Sequence, residues 1–162
     1  MSFLRSIKNF TNSLPDARLA TFLTYDQDDI GVDGAAWTGT VCYEPRDNRT
    51  SIIEFYKRSN AQAGRILAHE IGHNLNMGHD FISYNADGSK NIRTCDIGGD
   101  TCTDVGGVMD YNQTSWTKWS CCSKSDFKKL FDENDPFCIP EPGKDHRGLN
   151  SERSVIYWTS IV

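Results

Sequence analysis

His69-Glu70-Ile71-Gly72-His73-Asn74-Leu75-Asn76-Met77-Gly78-His79-Asp80 is the stretch on which the reading of this chain turns. His69 and His73 stand four residues apart, so on a helix both imidazoles leave from one face. Upstream, Ser59-Asn60-Ala61-Gln62 has the form of a capping box, and Ile66, Leu67, Ile71 and Leu75 recur at helical spacing. The spacing predicts a helix over about 61–75. That helix must end before His79, or the third imidazole would lie on another face. Asn76 and Gly78 supply the ending, because Asn and Gly best tolerate the left-handed backbone that turns a chain back.

With the chain so turned, His69, His73 and His79 can reach one ion. Three neutral ligands leave a zinc ion's charge largely uncompensated and a fourth position open to water, which is the pattern of a catalytic site. The water's pKa should fall towards about 7. Glu70, next to His69, is placed to act as general base. Incidental histidines are the alternative. The chain has four, three of them in this pattern, and a chance HExxH is roughly a one-in-a-hundred event at this length. A structural zinc site would normally recruit a fourth His or Cys.

At 162 residues the chain is long enough for one core. Charged residues at 24% and apolar residues at 38% are ordinary for a globular protein. The net charge of −5 and the lack of a basic tract argue against nucleic acid as a partner, and no apolar run is long enough to span a membrane. Residues 3–13 carry Phe3, Leu4, Ile7 and Phe10 on one helical face, and Pro15 stops the pattern. Ala20–Tyr25, Ala35–Val41 and Ser51–Tyr56 read as strands. Residues 83–107 read as an irregular, cross-linked loop. Ser123 with Asp126 is read as the cap of a last helix whose Phe127, Leu130 and Phe131 face the core. Residues 140–148 resemble a linker, and the final SVIYWTSIV is a strand or a tail.

The cysteines are Cys42, Cys95, Cys102, Cys121, Cys122 and Cys138, an even set without a CxxC pair. They read as three disulfides in an oxidising compartment; reduced core thiols are the alternative. Sequons at Asn9, Asn48 and Asn112 are compatible with secretion. The start lacks a signal-peptide pattern, so a mature form or a fragment is expected.

HExxHxxNxxH followed by Gly107-Val108-Met109-Asp110-Tyr111 resembles the zinc helix and methionine turn of the metzincins. Asp80 after the third histidine resembles the adamalysin (reprolysin) branch, which includes snake-venom metalloproteinases and sheddases. Gly34-Ala35-Ala36-Trp37-Thr38-Gly39-Thr40-Val41-Cys42 and Trp119-Ser120-Cys121-Cys122-Ser123 are further likenesses. The resemblance covers residues 3–140 and is closest in type to venom or salivary members.

It implies an α/β (α+β) catalytic domain over 1–140. A twisted mixed sheet, an active-site helix and a disulfide-linked C-terminal subdomain would make it up, with 141–162 a linker or tail. The N-terminal third of the family domain, with its first strand, has no counterpart here. The implied activity is a secreted, monomeric, zinc-dependent endopeptidase acting on proteins or peptides, a venom-type toxin in one version. The alternative is a catalytically inactive binding domain. Met109 would floor the metal, and Ala35, Ala36, Trp37, Thr38 and Gly39 would pair with an extended substrate. Tyr111–Trp116 would line the specificity pocket. Cys42 would bond Cys138, with Cys95 and Cys102 linked to Cys121 and Cys122. Asn76 departs from the family's glycine, at a cost of about 1 kcal/mol.

Overall fold

The computed structural model describes residues 19–24, 33–41, 49–55, 58–103, 106–111 and 117–134. The expected N-terminal helix over 3–13, Cys42, Cys138, Asn112–Trp116 and the tail 141–162 lie outside the described residues.

The central helix, α1 (Asn60–Asn74), starts where its capping box predicts. Gln62 N donates to Ser59 Oγ at 3.3 Å, and Ser59 N donates back to Gln62 Oε1 at 2.9 Å. Its end is a paired-bond turn. Met77 N donates to Gly72 O and Asn76 N to His73 O, both at 2.9 Å, and Asn76 sits at φ 71°. These are the two bonds of the Schellman motif, with Asn in the position that glycine usually fills. They satisfy two orphan carbonyls and send the chain back toward the helix.

α1 packs on a three-stranded mixed sheet. Its strands are β1 (Ala20–Thr24), β2 (Gly34–Ala36) and β3 (Thr50–Glu54), in the order β1-β3-β2. β3 runs parallel to β1 and antiparallel to β2. As the central strand it is buried from Thr50 to Ile53, and its polar Ser51 Oγ pairs with Thr21 Oγ1 at 2.7 Å. Phe22 and Ala35 both register opposite Ile52, so the three side chains share one face and form a small core with Ala20 and Trp37.

The strand expected over Ala35–Val41 is shorter than its sequence suggests. β2 stops at Ala36, and the chain peels from β3 to dock on the end of α1. Gly39 N donates to His73 O at 2.8 Å, and Val41 N to Asn74 O at 3.1 Å. Orphan carbonyls at a helix end compete with strand pairing for these donors, and here they win. Buried Asn74 locks the junction, its Nδ2 donating to Trp37 O, Thr40 Oγ1 and Thr50 O at 2.9, 3.3 and 3.2 Å.

Residues 83–107 are more ordered than expected. They contain most of two hairpins: β4 (Phe81–Tyr84) with β5 (Lys90–Ile92), and β6 (Cys95–Ile97) with β7 (Asp100–Cys102). The second hairpin turns on Gly98 (φ 63°) and Gly99 (φ 96°), the double positive φ that a tight two-residue hairpin loop requires.

The last helix, α2 (Cys121–Asn134), is capped by Ser120 instead of Ser123: Ser123 N donates to Ser120 Oγ at 2.9 Å. Asp126 is turned to another use, described below. Leu130 is fully buried against Val41, with Leu75 and Phe127 packed around them, while Phe131 is half-buried and rests edge-on against Phe127. Disulfides Cys95–Cys122 and Cys102–Cys121 bolt α2 to the second hairpin.

The turn at Asn76 yields a stability test. Asn76→Ala should lower the urea-unfolding free energy by about 1–2 kcal/mol, because a nonpolar Cβ residue is strained at this φ. Asn76→Gly should stay within about 1 kcal/mol of the parent, since relief of strain offsets the loss of the Asn76 Nδ2 bond to Asp126 O.

Candidate metal centre

α1 presents His69 and His73 one turn apart, and the Schellman turn returns His79 to the same place. The ring nitrogens converge: His79 Nε2 is 3.1 Å from His73 Nε2 and 3.2 Å from His69 Nε2. Two of the rings are oriented from behind. His69 Nδ1 lies 2.9 Å from Val108 O, and His73 Nδ1 lies 2.9 Å from Met77 O. A carbonyl only accepts, so each Nδ1 carries the proton and each Nε2 offers a lone pair inward.

This donor set fits a divalent cation. Burial, opposed by the Val108 bond and the charge of Asp110, lowers the His69 pKa. Burial, with His69 as a like neighbour, pushes His73 down to about 4. Both rings are therefore neutral at physiological pH. Their Nε2 lone pairs face a single His79 nitrogen that can donate at most one proton. A tetrahedral ion with bonds of about 2.0–2.1 Å would hold such donors about 3.4 Å apart, slightly beyond the observed separations.

Met109 is fully buried against α1. A Cβ on Gly72 would come within 2.5 Å of its sulfur, so only glycine lets the thioether press against α1 between the first two histidines. The turn carrying Met109 is pinned by Val108 N to Lys118 O at 3.1 Å and by Asp80 N to Met109 O at 3.3 Å. Asp80 itself is buried, and its Oδ1 accepts from Ser120 Oγ and from Ser123 Oγ. The residue after the third histidine thereby ties the metal loop to the start of α2.

Glu70 is buried, and its Oε2 has no hydrogen-bond partner among the described residues. Burial first, and the negative charge of Asp33 second, raise its pKa to about 8. The start of β2 lies directly against this carboxyl: a Cβ on Gly34 would stand 2.7 Å from Glu70 Oε1. Ala35 and Ala36 continue that strand, whereas Trp37, Thr38 and Gly39 belong to the segment docked on α1.

An aromatic flank was not foreseen in full. Tyr111, 56% exposed, stacks on His69 at 5.3 Å, and Phe81 stacks on His79 at 5.5 Å. The resemblance gives Tyr111 a place in the specificity pocket, with Asn112–Trp116, and does not foresee its stacking on His69. Phe81 had no signal beyond following Asp80. Among the described residues no helix is long and apolar enough to cross a membrane.

Three imidazoles gathered from a helix and the turn after it, His69 buried and His73 and His79 part-buried, with buried Met109 and a buried carboxyl nearby, fit a metallopeptidase type of site. The profile of metallo-peptidase family M12 (reprolysin type) matches residues 4–122, and the chain belongs to that family, whose members carry a metal. It is 29% identical over 121 residues to a zinc metalloproteinase/disintegrin of Bitis gabonica, covering 75% of this chain and 31% of the relative. It is 34% identical over 115 residues to human disintegrin and metalloproteinase domain-containing protein 9, covering 69% of this chain and 12% of the relative. Snake venom metalloproteinase fibrolase of Macrovipera lebetinus is 30% identical over 124 residues, 76% of this chain and 52% of its own length. The chain therefore spans about half or less of each of these relatives.

The titrations predict how the metal-free protein behaves. The His69 and His73 pKa values lie below their ordinary 6.5 when folded, so the unfolded chain binds more protons and stability is lost as pH falls below about 6.5, for His73 toward about 4. Glu70 is raised from 4.5 to about 8, so its contribution is lost as pH rises through that window. Denaturant unfolding after chelation should show a maximum between about pH 5 and 7. The alkaline decline should disappear in Glu70→Gln.

Proposed function

We propose that this chain is the catalytic part of a secreted zinc endopeptidase that hydrolyses peptide bonds in proteins. The observation that carries the reading is the convergence of His69 and His73 Nε2 on His79 Nε2 at 3.2 and 3.1 Å, next to a buried carboxyl whose Oε2 has no hydrogen-bond partner among the described residues. His69, His73 and His79 would hold the ion, and Met109 would form its apolar floor. When bound, zinc supplies Lewis-acid polarisation of the scissile carbonyl and of the attacking water.

The chain's own residues do the rest. Glu70 takes the proton of the attacking water and delivers it to the leaving amine. Its raised pKa suits a carboxyl that must both accept and release a proton near neutrality, and a cation held by the neutral histidines would draw that value down from about 8. The β2 edge carries the substrate as an added strand. Trp37 N and O are occupied by Thr50 O and Asn74 Nδ2, and Gly39 N by His73 O. Main-chain pairing therefore concentrates at Gly34–Ala36, with Trp37, Thr38 and Gly39 acting through side chains and shape. Gly34 sets that edge against Glu70, which supports passage of the scissile bond beside the carboxyl. Tyr111 flanks the same opening.

Three further features support the reading. The M12 match brings the metallopeptidase class. The two disulfides suit an oxidising, extracellular setting. Asn76 adopts φ 71° while its side chain is hydrogen-bonded, so the departure from glycine leaves the three histidines together. The last point weakens the alternative of a catalytically inactive binding domain.

The purified protein should contain one zinc per chain and cleave casein, with cleavage abolished by a chelator. Glu70→Gln should lose about 10²–10⁴-fold of activity while keeping its zinc. Full zinc content with no hydrolysis by the parent would favour the binding-domain alternative, and undiminished cleavage by Glu70→Gln would remove the carboxyl from the mechanism.

A further inference from the structure

His79 is held differently from its two companions. His69 and His73 ride on the hydrogen-bond ladder of α1, whereas His79 lies beyond the Schellman turn, where no ladder fixes it. Its backbone is instead gripped from the C-terminal half of the chain. Gly78 N donates to Asp126 Oδ2 at 2.9 Å. The same carboxylate receives Arg93 as a fork, Nη1 to Oδ2 at 2.9 Å and Nη2 to Oδ1 at 2.6 Å. Arg93 Nη1 also reaches His79 O in a long contact of 3.5 Å. Asn76 Nδ2 donates to Asp126 O at 3.3 Å, so the carboxylate's own residue is bound to the turn as well.

Two observations show that this is a fitted arrangement. A Cβ on Gly78 would stand 2.7 Å from Arg93 Nη1, so the guanidinium crosses the backbone where no side chain intervenes. The pair is largely withdrawn from water, with side-chain exposures of 20% for Arg93 and 10% for Asp126. A planar fork in that setting demands one geometry, which a flexible point charge does not. The elements bearing the two partners are covalently joined, since Cys95 follows Arg93 by two residues and bonds Cys122, four before Asp126.

We propose that Arg93 and Asp126 are positioning residues that set the metal affinity of the centre by fixing the His79 backbone before the ion arrives. The inference rests on the metal reading of the three histidines. With the clamp intact, binding meets a preformed donor triangle. Without it, the residues after Asn76 must be ordered as the ion binds, and affinity falls by that ordering cost.

The test measures zinc dissociation constants by competition with a chromophoric chelator, together with denaturant unfolding of the metal-free and zinc-loaded full chain. Asp126→Asn and Arg93→Met should each weaken zinc binding by about 10–100-fold, as loss of outer partners of a metal ligand does. The double variant should be no weaker than the worse single one, and Arg93→Lys should recover part of the loss. A pair serving only the fold would destabilise both forms equally. Constants within about threefold of the parent for Asp126→Asn and Arg93→Met would overturn the proposal. Where either fails to fold, Gly78→Ala decides on the same readouts, because its Cβ displaces the guanidinium while leaving both charges. A parent chain that binds no zinc overturns the metal reading and this inference together. A parent that binds zinc, with variants unchanged, overturns the clamp alone.

Discussion

Lone pairs aimed at one another are costly for a protein to maintain, and the centre of this molecule is built on that arrangement. His69 and His73 commit their ring protons outward to Val108 O and Met77 O, so their inner nitrogens meet His79 as acceptors. The surroundings can be understood as what keeps those rings from turning away. One carbonyl comes from the turn that carries Met109, and the other from the segment that turns the chain back after α1. Met109 packs against α1, and Asp80 fastens that turn to the strand of chain leaving His79. The two carbonyls orient the rings directly, and the resulting set of inward nitrogens fits a divalent ion.

The turn at Asn76 connects local structure to this convergence. One left-handed residue changes the direction of the chain within a single helical turn, and two backbone bonds make the change definite. The same helix end then serves a second purpose. The His73 carbonyl, already bonded by Asn76 N, and the Asn74 carbonyl accept from Gly39 N and Val41 N and draw the segment after β2 across the end of α1. The segment after β2 and the histidine-bearing face of α1 are thus referenced to the same few peptide units, so a displacement at the helix end would be felt by both.

How much of this was legible depends on the range of the interaction. The capping box at Ser59, the helix and the four-residue histidine spacing are local, and the sequence carries them plainly. The Gly98-Gly99 turn is equally local, yet the strands it joins have three residues each, too few for an alternation to announce them. The end of β2 was not readable. Ala35–Val41 keeps strand composition throughout, and only the competing carbonyls of α1 cut it short. Ser123 and Asp126 fit a cap motif, but Ser120 stands one turn earlier and takes the role, leaving Asp126 to meet Arg93 across 33 residues. Nothing local distinguishes such a partner from any other carboxylate.

The composition of the C-terminal part explains why cross-links are concentrated there. Around α2 the buried residues include Asp80, Ser120, Ser123, Ser125 and Asp126, with Val41, Cys95, Cys122 and Leu130 as buried apolar neighbours. These polar groups are hydrogen-bonded, Asp80 Oδ2 excepted among the described residues, and contribute little net driving force. Two disulfides, each contributing about 2–4 kcal/mol, are large against the roughly 5–15 kcal/mol that separates a folded domain from its unfolded chain. They hold the second hairpin and α2 at fixed distance, which allows Asp126 and Ser120 to reach the metal loop from outside the main sheet. An apolar core in the same place would stabilise the fold but would offer no carboxylate to Gly78 and no hydroxyl to Asp80. The cross-links therefore permit a polar interior whose hydrogen bonds aim the third histidine, so the stability of this region and the geometry of the site have one structural cause.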